Sequence, residues 1–385
     1  MKKHLILTII ILSVMCFAIM IALSGCGSSS NGSSSSNAPK IDGLTYSSTM
    51  KLDYAKRFDV YYYKGGYALI DVHGDTKYLV VPKGKKAPDG LNKKIVVIKK
   101  PLKHVYLAAT SAMALFDSMD SLDPITMTSL KASDWSVKDA AKAMNSGKMV
   151  YAGKYSQPDY ELLLDNKCDL TIESTMIYHT PEVKEMIEDL DVPVFVDRSS
   201  YETNPLGRTE WIKLYSVLVG KEKTATTFFN KQESIISKLK GFKNTEKTVA
   251  FFYITTDGKV VVRSSKDYIP TMIKMAGGRY VFSKLTDKDG KTSIPMSMET
   301  FYDKAVDADY IIYNGSIDSS VKTIAALEKK EPLFKKFKAV KNGNCYVTGS
   351  SMYQRTDVVG EMILDFHNIF TVNKSSDLKF LTKME

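Results

Sequence analysis

Arginine is scarce in this sequence, and its positions give the first indication of chemistry. The chain has 6 arginines beside 47 lysines, so lysine is its ordinary cation. Arg198, Arg263 and Arg355 each follow an apolar, strand-like run. A guanidinium makes forked hydrogen bonds to carboxylate or phosphate and stacks on aromatic faces, which a lysine ammonium cannot do. These three arginines therefore predict a site for an anionic ligand.

Other polar and aromatic side chains also follow apolar runs. Tyr178 and Tyr353 could each lay a ring on a planar ligand while the hydroxyl donates a hydrogen bond; packing within the loop is the alternative. Their neighbours His179 and Met352 are of types that ligate haem iron, but no two histidines have ligand spacing, so we assign no metal ligand. The remaining strand-end candidates for ligand contact are Thr110, Ser111, Thr128, Ser129, Ser174 to His179, Tyr253, Ser264, Asn314 and the loop from Ser351 to Arg355.

Two further arginines, Arg208 and Arg279, lie at the ends of predicted elements. A ligand contact and a structural role are both open to them. We interpret both as helix-capping residues or as partners of surface acids.

The candidate residues share one property, which is that they follow predicted strands of an α/β fold. From residue 105 onward, apolar runs such as VYLAAT, DLTIES and PVFVDR alternate with helical segments. This alternation predicts βαβ units with parallel strands and helices on both faces. A helical segment at 209–242, with a break near Gly220, separates two such stretches. We predict two Rossmann-like lobes with mainly parallel central sheets, joined by one long α-helix.

Residues 41–95 follow a different pattern. Aromatic and β-branched residues alternate with polar ones, and the alternation breaks at Gly65-Gly66 and Gly74. This pattern predicts two or three antiparallel strands. We interpret them as an N-terminal β-rich elaboration of the first lobe.

The N-terminus has the composition of an export signal. Two lysines precede an apolar stretch from Leu5 to Leu23, as in a signal peptide. The stretch is almost long enough to span a bilayer, so an uncleaved anchor is the alternative. LSGC at 23–26 resembles the bacterial lipobox, which implies cleavage after residue 25 and lipidation of Cys26. Residues 26–40 are rich in glycine and serine and predict a flexible tether. The expected location is the extracytoplasmic face of the bacterial cell membrane.

Charge and motifs argue against several other functions. The net charge of +10 could suit nucleic acid, but no such motif occurs and the chain carries an export signal. We find no H-E-x-x-H, Walker A or convincing G-x-S-x-G motif, and the S-x-x-K string at Ser319–Lys322 lacks its companion motifs. We therefore predict neither an enzyme nor a resident cofactor. Cys168 and Cys345 are interpreted as buried free thiols; a disulfide would require the two halves to touch there.

Several strings from about residue 95 to the C-terminus resemble one family. PDYELLLDNKCDLTI, NPLGRTEWIKLYSVLVGKE, IKMAGG and SMETFYDKAVDADYIIYNG are similar, in this order, to segments of the helix-linked (class III) substrate-binding proteins of ABC importers. The resemblance implies that a ligand binds between the lobes and passes to an ABC permease with its ATPase. A ferric siderophore is the first choice of ligand, and haem or a corrinoid comes next. A monomer is expected, and a surface sensor that uses the same cleft without transport is the alternative.

The resemblance also gives a role to two glutamates. Glu161 and Glu299 match the family's glutamates that dock on the permease, one on each lobe. Each precedes a strand of the type DLTI or DYII. Stabilisation of a helix N-terminus is the alternative for both residues.

The predicted domains follow from these assignments. They are a signal peptide at 1–25, a lipidated linker at 26–40, an N-terminal lobe at 41–208, an interlobe helical segment at 209–243 and a C-terminal lobe at 244–385.

Overall fold

The structure of the chain is a computed structural model. It describes residues 38–239, 241–371 and 378–385. The predicted signal, Cys26 and most of the predicted tether lie outside the described residues. Within those ranges no helix combines the length and the apolar character that a membrane crossing requires.

The N-terminal region forms a five-stranded sheet, so the expectation of two or three strands was too low. Four strands make an antiparallel meander, and the fifth pairs in parallel with the fourth. The chain reverses at Gly66 and Gly74, both of which have positive φ, a conformation that glycine adopts without steric cost. The strands are β1 (Tyr46–Thr49), β2 (Phe58–Tyr63), β3 (Tyr67–Val72), β4 (Lys77–Val81) and β5 (Ile95–Lys99).

The first lobe is built on a fully parallel five-stranded sheet in the order β12-β11-β6-β7-β8. Its strands are β6 (Val105–Leu107), β7 (Ile125–Thr128), β8 (Val150–Tyr151), β11 (Leu170–Ser174) and β12 (Val194–Asp197). A hairpin of β9 (Gly153–Lys154) and β10 (Gln157–Pro158) follows β8. The helices are α1 (Thr110–Asp117), α2 (Lys138–Asn145), α3 (Tyr160–Asp165) and α4 (Pro181–Asp189).

The second lobe has a mixed sheet in the order β16-β14-β13-β17-β18-β19, with β15 also paired to β13. Its central pairs β13/β17 and β17/β18 are parallel, whereas β14, β16 and β19 run antiparallel to their neighbours. The strands are β13 (Thr248–Ile254), β14 (Val260–Arg263), β15 (Arg279–Tyr280), β16 (Ser293–Met296), β17 (Tyr310–Tyr313), β18 (Cys345–Thr348) and β19 (Leu381–Lys383).

The helices of the second lobe agree with the pattern of the sequence. The predicted glycine stop after IKMAGG is confirmed, because α7 ends at Met275 and Gly277 has φ +87°. The helices are α7 (Tyr268–Met275), α8 (Met298–Ala305), α9 (Ile324–Lys330), α10 (Lys338–Lys341), α11 (Ser351–Gln354) and α12 (Val359–Thr371).

A buried helix connects the two lobes. Two lobes with central sheets that are joined by a helix confirm the predicted α/β fold. Helix α5 (Pro205–Val219) ends at Gly220, which has the left-handed conformation, and α6 (Glu222–Ser237) follows. Every residue of α5 from its first to Leu218 is buried. A helix covered on all sides in this way cannot bend without disturbing the packing around it.

The N-terminal region is fastened to α5 through two buried carboxylates. Glu210 accepts hydrogen bonds from the backbone N–H groups of Asp53, Tyr54 and Ala55. Glu202, just before α5, accepts from the next two, Lys56 and Arg57. Five consecutive backbone donors are therefore satisfied from the joint, which fixes the β1–β2 connection against it.

Candidate functional site

The chain order of the first-lobe sheet defines a crevice at the carboxyl ends of its strands. After β6 the chain adds β7 and β8 on one side, then crosses to β11 on the other side of β6. In open parallel sheets, ligands bind at such a reversal of strand order. The segments that follow β6 and β11 begin at Ala108 and Thr175, so they are expected to border a site.

A hollow of about 520 Å³ lies at this place. Thr110 and Ser174 line it, as the strand-end rule predicts. Tyr151 and Met176 add exposed apolar surface, being 38% and 45% exposed. The other lining residues are Ala108, Ser129, Leu130, Lys131, Asp134, Lys154 and Tyr155. An apolar surface beside two lysines can accept a ligand with an apolar body and acidic groups.

A second hollow, of about 380 Å³, lies at the ends of β17 and β18 in the second lobe. Gly315 is essential to its shape, because a Cβ at this position would lie 2.3 Å from the carbonyl oxygen of Thr348. The lining is rich in hydroxyl groups and contains one lysine. The lining residues are Gly315, Ser316, Ser319, Val321, Lys322, Val347, Thr348, Gly349, Ser350 and Thr382.

The two lobes touch directly between these hollows. The Ser136 N–H donates to Oε1 of Gln354 at 2.6 Å, and the hydroxyls of Ser136 and Ser350 are 2.6 Å apart. Gln354 Nε2 donates to the carbonyl of Asp134 at 2.8 Å. Since Asp134 lines the first hollow and Ser350 the second, both hollows adjoin one interlobe contact.

Two of the strand-end arginines are already paired with carboxylates. Arg263 donates from Nη2 to Asp267 and from Nη1 to Ser293, each at 2.6 Å. Arg355 makes a bidentate pair with Asp357, with both distances 2.8 Å. The hydrogen bonds that Arg355 donates to Asp357 raise the pKa of Arg355. Much of the donor capacity of these two guanidiniums is therefore used within the second lobe.

The third strand-end arginine lies between the first lobe and the N-terminal sheet. Arg198 Nη1 donates to the carbonyl of Gly74 at 2.6 Å, and its guanidinium is 5.9 Å from the ring centre of Tyr178. Burial and nearby Asp75 raise the pKa of Tyr178 to about 12, against an opposing effect of Arg198. Neither Arg198 nor Tyr178 is among the described residues that line the first hollow.

Tyr353 and Asn314 contact each other in the second lobe. Asn314 is 1% exposed and donates from Nδ2 to the Tyr353 hydroxyl at 2.6 Å. Burial raises the pKa of Tyr353. The interaction joins the end of β17 to the segment of α11, which carries the contact to the first lobe.

The remaining predicted candidates have structural contacts. Thr128 is 0% exposed and donates to the Leu107 carbonyl at 3.1 Å, so its side chain faces the interior of the first lobe. The carbonyl of Ser111 accepts from the Thr356 hydroxyl of the second lobe at 2.7 Å. Tyr253 is half-buried in β13. A ligand role for any of the predicted residues stays a prediction.

Sequence reasoning missed the direct contact between the lobes and most of the residues that line the first hollow. Tyr151 lies in a two-residue strand that has no recognisable pattern. Ser136 and Gln354 are 218 positions apart, so only the folded chain reveals their contact. Met176, two residues after β11, lies in the strand-end run from Ser174 to His179 and does line the hollow.

Arg208 differs from its interpretation as a capping or surface-paired residue. It is 3% exposed, and its guanidinium carbon is 4.0 Å from the ring centre of Tyr268. The Nε of Arg208 is buried without a hydrogen-bond partner. Arg279 does agree, since its side chain is 61% exposed and its Nε is 3.9 Å from a carboxylate oxygen of Glu246.

Glu161 and Glu299 occupy equivalent positions in the two lobes. Each is the second residue of its helix, after an N-cap side chain that accepts from the backbone: Asp159 for α3 and Ser297 for α8. Both glutamates are exposed. The described ranges contain no ion pair that involves either residue.

Among the described residues, no group of three His, Cys, Asp or Glu side chains could hold a metal ion. Cys168 and Cys345 are free and buried, as interpreted. Burial raises the thiol pKa to about 11 for Cys168 and about 12 for Cys345.

Comparisons with known proteins agree with this architecture. An uncharacterized lipoprotein of Methanocaldococcus jannaschii is 25% identical over 395 residues, which cover 93% of this chain and 91% of that protein. The periplasmic heme binding protein HutB of Vibrio cholerae has a similar fold, with a TM-score of 0.56 at 15% identity over 71% of this chain and 99% of that one. The catecholate-siderophore binding protein VctP of Vibrio cholerae gives 0.53 at 14% identity over 69% and 93%.

The sequence also matches the family described as "Periplasmic binding protein" over residues 106–352. This range begins in β6, ends in α11 and includes α5, so it contains Ser136 and Ser350 of the interlobe contact and nearly all residues that line the two hollows. The chain therefore belongs to the periplasmic binding protein family, in its form with two lobes joined by a helix.

Proposed function

We propose that this protein is a lipid-anchored receptor that captures an iron complex between its lobes and delivers it to an ABC permease. A ferric siderophore is the first choice of ligand, followed by haem and a corrinoid. The proposal rests mainly on the hollow in the first lobe, which lies where the strand order of the sheet reverses. Asp134 lines this hollow and also accepts a hydrogen bond from Gln354 of the second lobe.

The chemistry of this hollow supports a chelate with aromatic groups and negative charge. Tyr151, Tyr155 and Met176 offer rings and a thioether for packing against flat apolar groups. Lys131 and Lys154 contribute positive charge at the same surface. A ferric catecholate combines aromatic rings with net negative charge, and haem combines a flat macrocycle with carboxylates. The names of the two similar Vibrio cholerae proteins, which refer to heme and to a catecholate siderophore, support the same ligand class.

Delivery to a permease is supported by the matched positions of Glu161 and Glu299. One exposed carboxylate at the second residue of a helix on each lobe can form a two-point contact with basic residues of a partner. Charged pairs at the edge of an interface govern encounter rate and register. A sensor that bound the same ligand without transport would not need both carboxylates.

The lipid anchor is supported by the LSGC string and by the name of the similar protein from Methanocaldococcus jannaschii, which calls that protein a lipoprotein. Cleavage after residue 25 would leave Cys26 at the start of a glycine- and serine-rich tether. Such a tether lets a folded receptor move close to the membrane surface.

The experiment is to isolate the protein from iron-replete cultures and to record its native mass and visible absorption spectrum. A bound chelate should appear as a defined mass increment with the charge-transfer or Soret absorption of its class. Titration of the ligand-free protein with a ferric tris-catecholate, haemin and cyanocobalamin then ranks the three classes. Absence of saturable binding to all three would contradict the proposal.

A further inference from the structure

We infer that a lysine-rich surface of the N-terminal sheet binds the anionic headgroups of the membrane to which the protein is anchored. This lysine face consists of the five lysines in the connection 82–94 and of Lys64 beside it. The inference rests on the proposed function, because it takes the lipid anchor as given. It assigns a role to the N-terminal sheet, which lies outside the family match at 106–352.

The two sides of the N-terminal sheet belong to different apolar clusters. Successive residues of a strand face opposite sides of its sheet. Val60, Ile70 and Val80 belong to the main core, together with residues of α5. Leu69 and Leu79, from the same strands, belong to a separate small cluster. The sheet therefore has an inner side that packs on the joint and an outer side that faces away from it.

The connection between β4 and β5 covers the outer side. These two strands are parallel, so residues 82–94 must return along the sheet from the end of β4 to the start of β5. Ala87 and Leu91 pack in the outer cluster, and the Tyr67 hydroxyl donates to the Lys86 carbonyl at 2.8 Å. These contacts hold the connection against the sheet, so its lysines are carried on a fixed support.

The connection is strongly basic, and its positive charges are not neutralised within the protein. It contains five lysines and one acidic residue, Asp89. All five lysines are exposed, and none forms an ion pair with any residue that the structure describes, whereas Lys77 of β4 pairs with Asp71. Clustered charges of one sign attract a surface of the opposite sign. The five are Lys83, Lys85, Lys86, Lys93 and Lys94.

The chain enters the folded body beside this connection. Ile41 is 5% exposed and packs with Leu44 in the outer cluster, and a Cβ at Gly43 would lie 3.8 Å from the Cβ of Pro88. Fourteen residues, 27–40, follow the expected lipidated cysteine, and a flexible chain of that length spans about 20 Å on average. The anchor therefore keeps the lysine face close to the headgroups, whose potential decays over about 10 Å in 0.1 M salt.

The composition of the lysine face favours lipid over nucleic acid as its partner. Residues 82–94 contain no arginine, the residue whose planar fork suits specific contacts to phosphate. Attraction to a charged membrane surface needs only clustered positive charge. The expected anchor also places a membrane within reach of this face, so the anionic headgroups are the partner that the observations support.

The test measures how closely the lysine face approaches the bilayer. The full chain is reconstituted in vesicles of phosphatidylcholine, or of phosphatidylcholine and phosphatidylglycerol at about 2:1. A fluorophore on Thr45→Cys transfers energy to acceptors on the headgroups. Thr45 is exposed, and its carbonyl accepts from the Lys64 N–H at 2.8 Å, so the label lies at the lysine face. Transfer should be about twofold higher in the anionic vesicles at about 0.1 M NaCl and should lose this difference at about 1 M, where screening acts within about 3 Å.

Two variants with equal loss of charge separate the lysine face from the general charge of the protein. The first is the quadruple variant Lys85→Gln, Lys86→Gln, Lys93→Gln, Lys94→Gln, which should show equal transfer in both kinds of vesicle. It keeps the hydrogen bonds of the Lys86 carbonyl and the Lys94 N–H, since both are backbone groups. The matched control should keep the wild-type response. It replaces four exposed lysines of the second lobe by glutamine: Lys304, Lys329, Lys335 and Lys336.

Three results would overturn the inference. They are equal transfer in both kinds of vesicle for wild type, an equal loss of response in the two quadruple variants, and binding of duplex DNA through the lysine face without any response to phosphatidylglycerol. Flotation of the vesicles tests the anchor separately. A chain without an anchor would not float with phosphatidylcholine; its flotation with anionic vesicles alone would still support the lysine face, and flotation with neither would contradict it. Failure to capture an iron complex would leave all these readouts unchanged.

Discussion

The backbone N–H of Tyr54 donates a 2.7 Å hydrogen bond to Oε2 of Glu210, a residue 156 positions later in the chain. Glu210 is 0% exposed and lies on the helix that joins the lobes. Its other oxygen accepts from the ammonium of Lys213 at 2.6 Å. The N-terminal sheet is therefore attached to the joint itself, and the joint gains a support that a bare interlobe helix would not have.

Glu210→Ala should destabilise the protein by about 3–5 kcal/mol, because it removes the carboxylate that pairs with the largely buried Lys213 ammonium and accepts from three backbone N–H groups. Urea unfolding measures the change. Glu233→Ala is the matched control: among the residues that the structure describes, Glu233 accepts a hydrogen bond only from the Tyr54 hydroxyl, at 2.6 Å, and its loss should cost about 1 kcal/mol. Equal effects of the two substitutions would contradict the proposed support of the joint.

Glu173 predicts a pH dependence of stability. It is 0% exposed in β11, and both of its carboxyl oxygens lack a hydrogen-bond partner. Burial raises its pKa from 4.5 to about 8. The native state therefore holds a proton that the unfolded state releases, so stability is greatest below pH 4.5 for this group and falls as the pH rises towards 8, by at most about 1.4 kcal/mol per pH unit.

Glu173→Gln should remove this contribution. The difference in melting temperature between the variant and wild type should grow in favour of the variant between pH 5 and pH 8. The exposed Glu185→Gln should follow the wild-type curve. If the melting temperatures of wild type and Glu173→Gln changed in parallel between pH 5 and pH 8, the Glu173 carboxyl would titrate like an exposed one, which would contradict the prediction.

The interlobe contact predicts that ligand binding needs little movement of the lobes. A buried α5 and direct hydrogen bonds between the lobes both oppose a large hinge rotation. The hydroxyls of Ser136 and Ser350 are 2.6 Å apart, so cysteines at these two positions should bring their sulfur atoms close enough for oxidation to a disulfide to be tested. The oxidised double variant Ser136→Cys, Ser350→Cys should bind ligand within about threefold of its reduced form, a difference below about 0.7 kcal/mol.

Titration of the same preparation before and after reduction gives the comparison. The single variant Ser136→Cys is the control for loss of the hydroxyl. If oxidation abolishes binding and reduction restores it, ligand binding requires the lobes to separate where Ser136 meets Ser350. That result would contradict the prediction of little lobe movement.

How far the sequence predicted this fold depended on the length of each pattern. Apolar runs such as Val194–Asp197 and Tyr310–Tyr313 were recognisable because both faces of a central strand are buried. The two-residue edge strand Val150–Tyr151 is too short and too exposed to leave a periodic signal. The second-lobe edge strand Ser293–Met296 contains a proline, which the strand pattern disfavours.

The sequence predicted residues of the candidate site only where a residue's position after a strand is enough to place it. Thr110 and Ser174 border the first hollow because residues after parallel strands meet at one edge of the sheet. The burial of Arg208 depends on Tyr268, which packs on it from another lobe. No spacing within the sequence encodes that contact. The carboxylates that pair with Arg263 and Arg355 are close in sequence, yet the pairing also depends on side-chain geometry.

Uptake should depend on Glu161 and Glu299 while ligand binding does not. Both carboxylates are exposed at the start of short helices, and neither residue lines either of the two hollows. The double variant Glu161→Ala, Glu299→Ala should bind ligand with wild-type affinity and fail to support transport in cells. Glu185→Ala, an exposed change on the first lobe, should leave both properties intact. Loss of ligand binding in the double variant would rule out a docking role.

The most direct test of the account is whether a filled first-lobe hollow prevents ligand binding. Ser174→Trp puts a large ring at the hollow, whereas Thr226→Trp fills a groove between the N-terminal region and α6 and serves as the control. Isothermal titration with a ferric tris-catecholate should show at least a hundredfold loss of affinity for Ser174→Trp, or about 2.8 kcal/mol, and an unchanged affinity for Thr226→Trp. Wild-type affinity in a folded Ser174→Trp variant would contradict the claim that this protein binds its ligand between the two lobes.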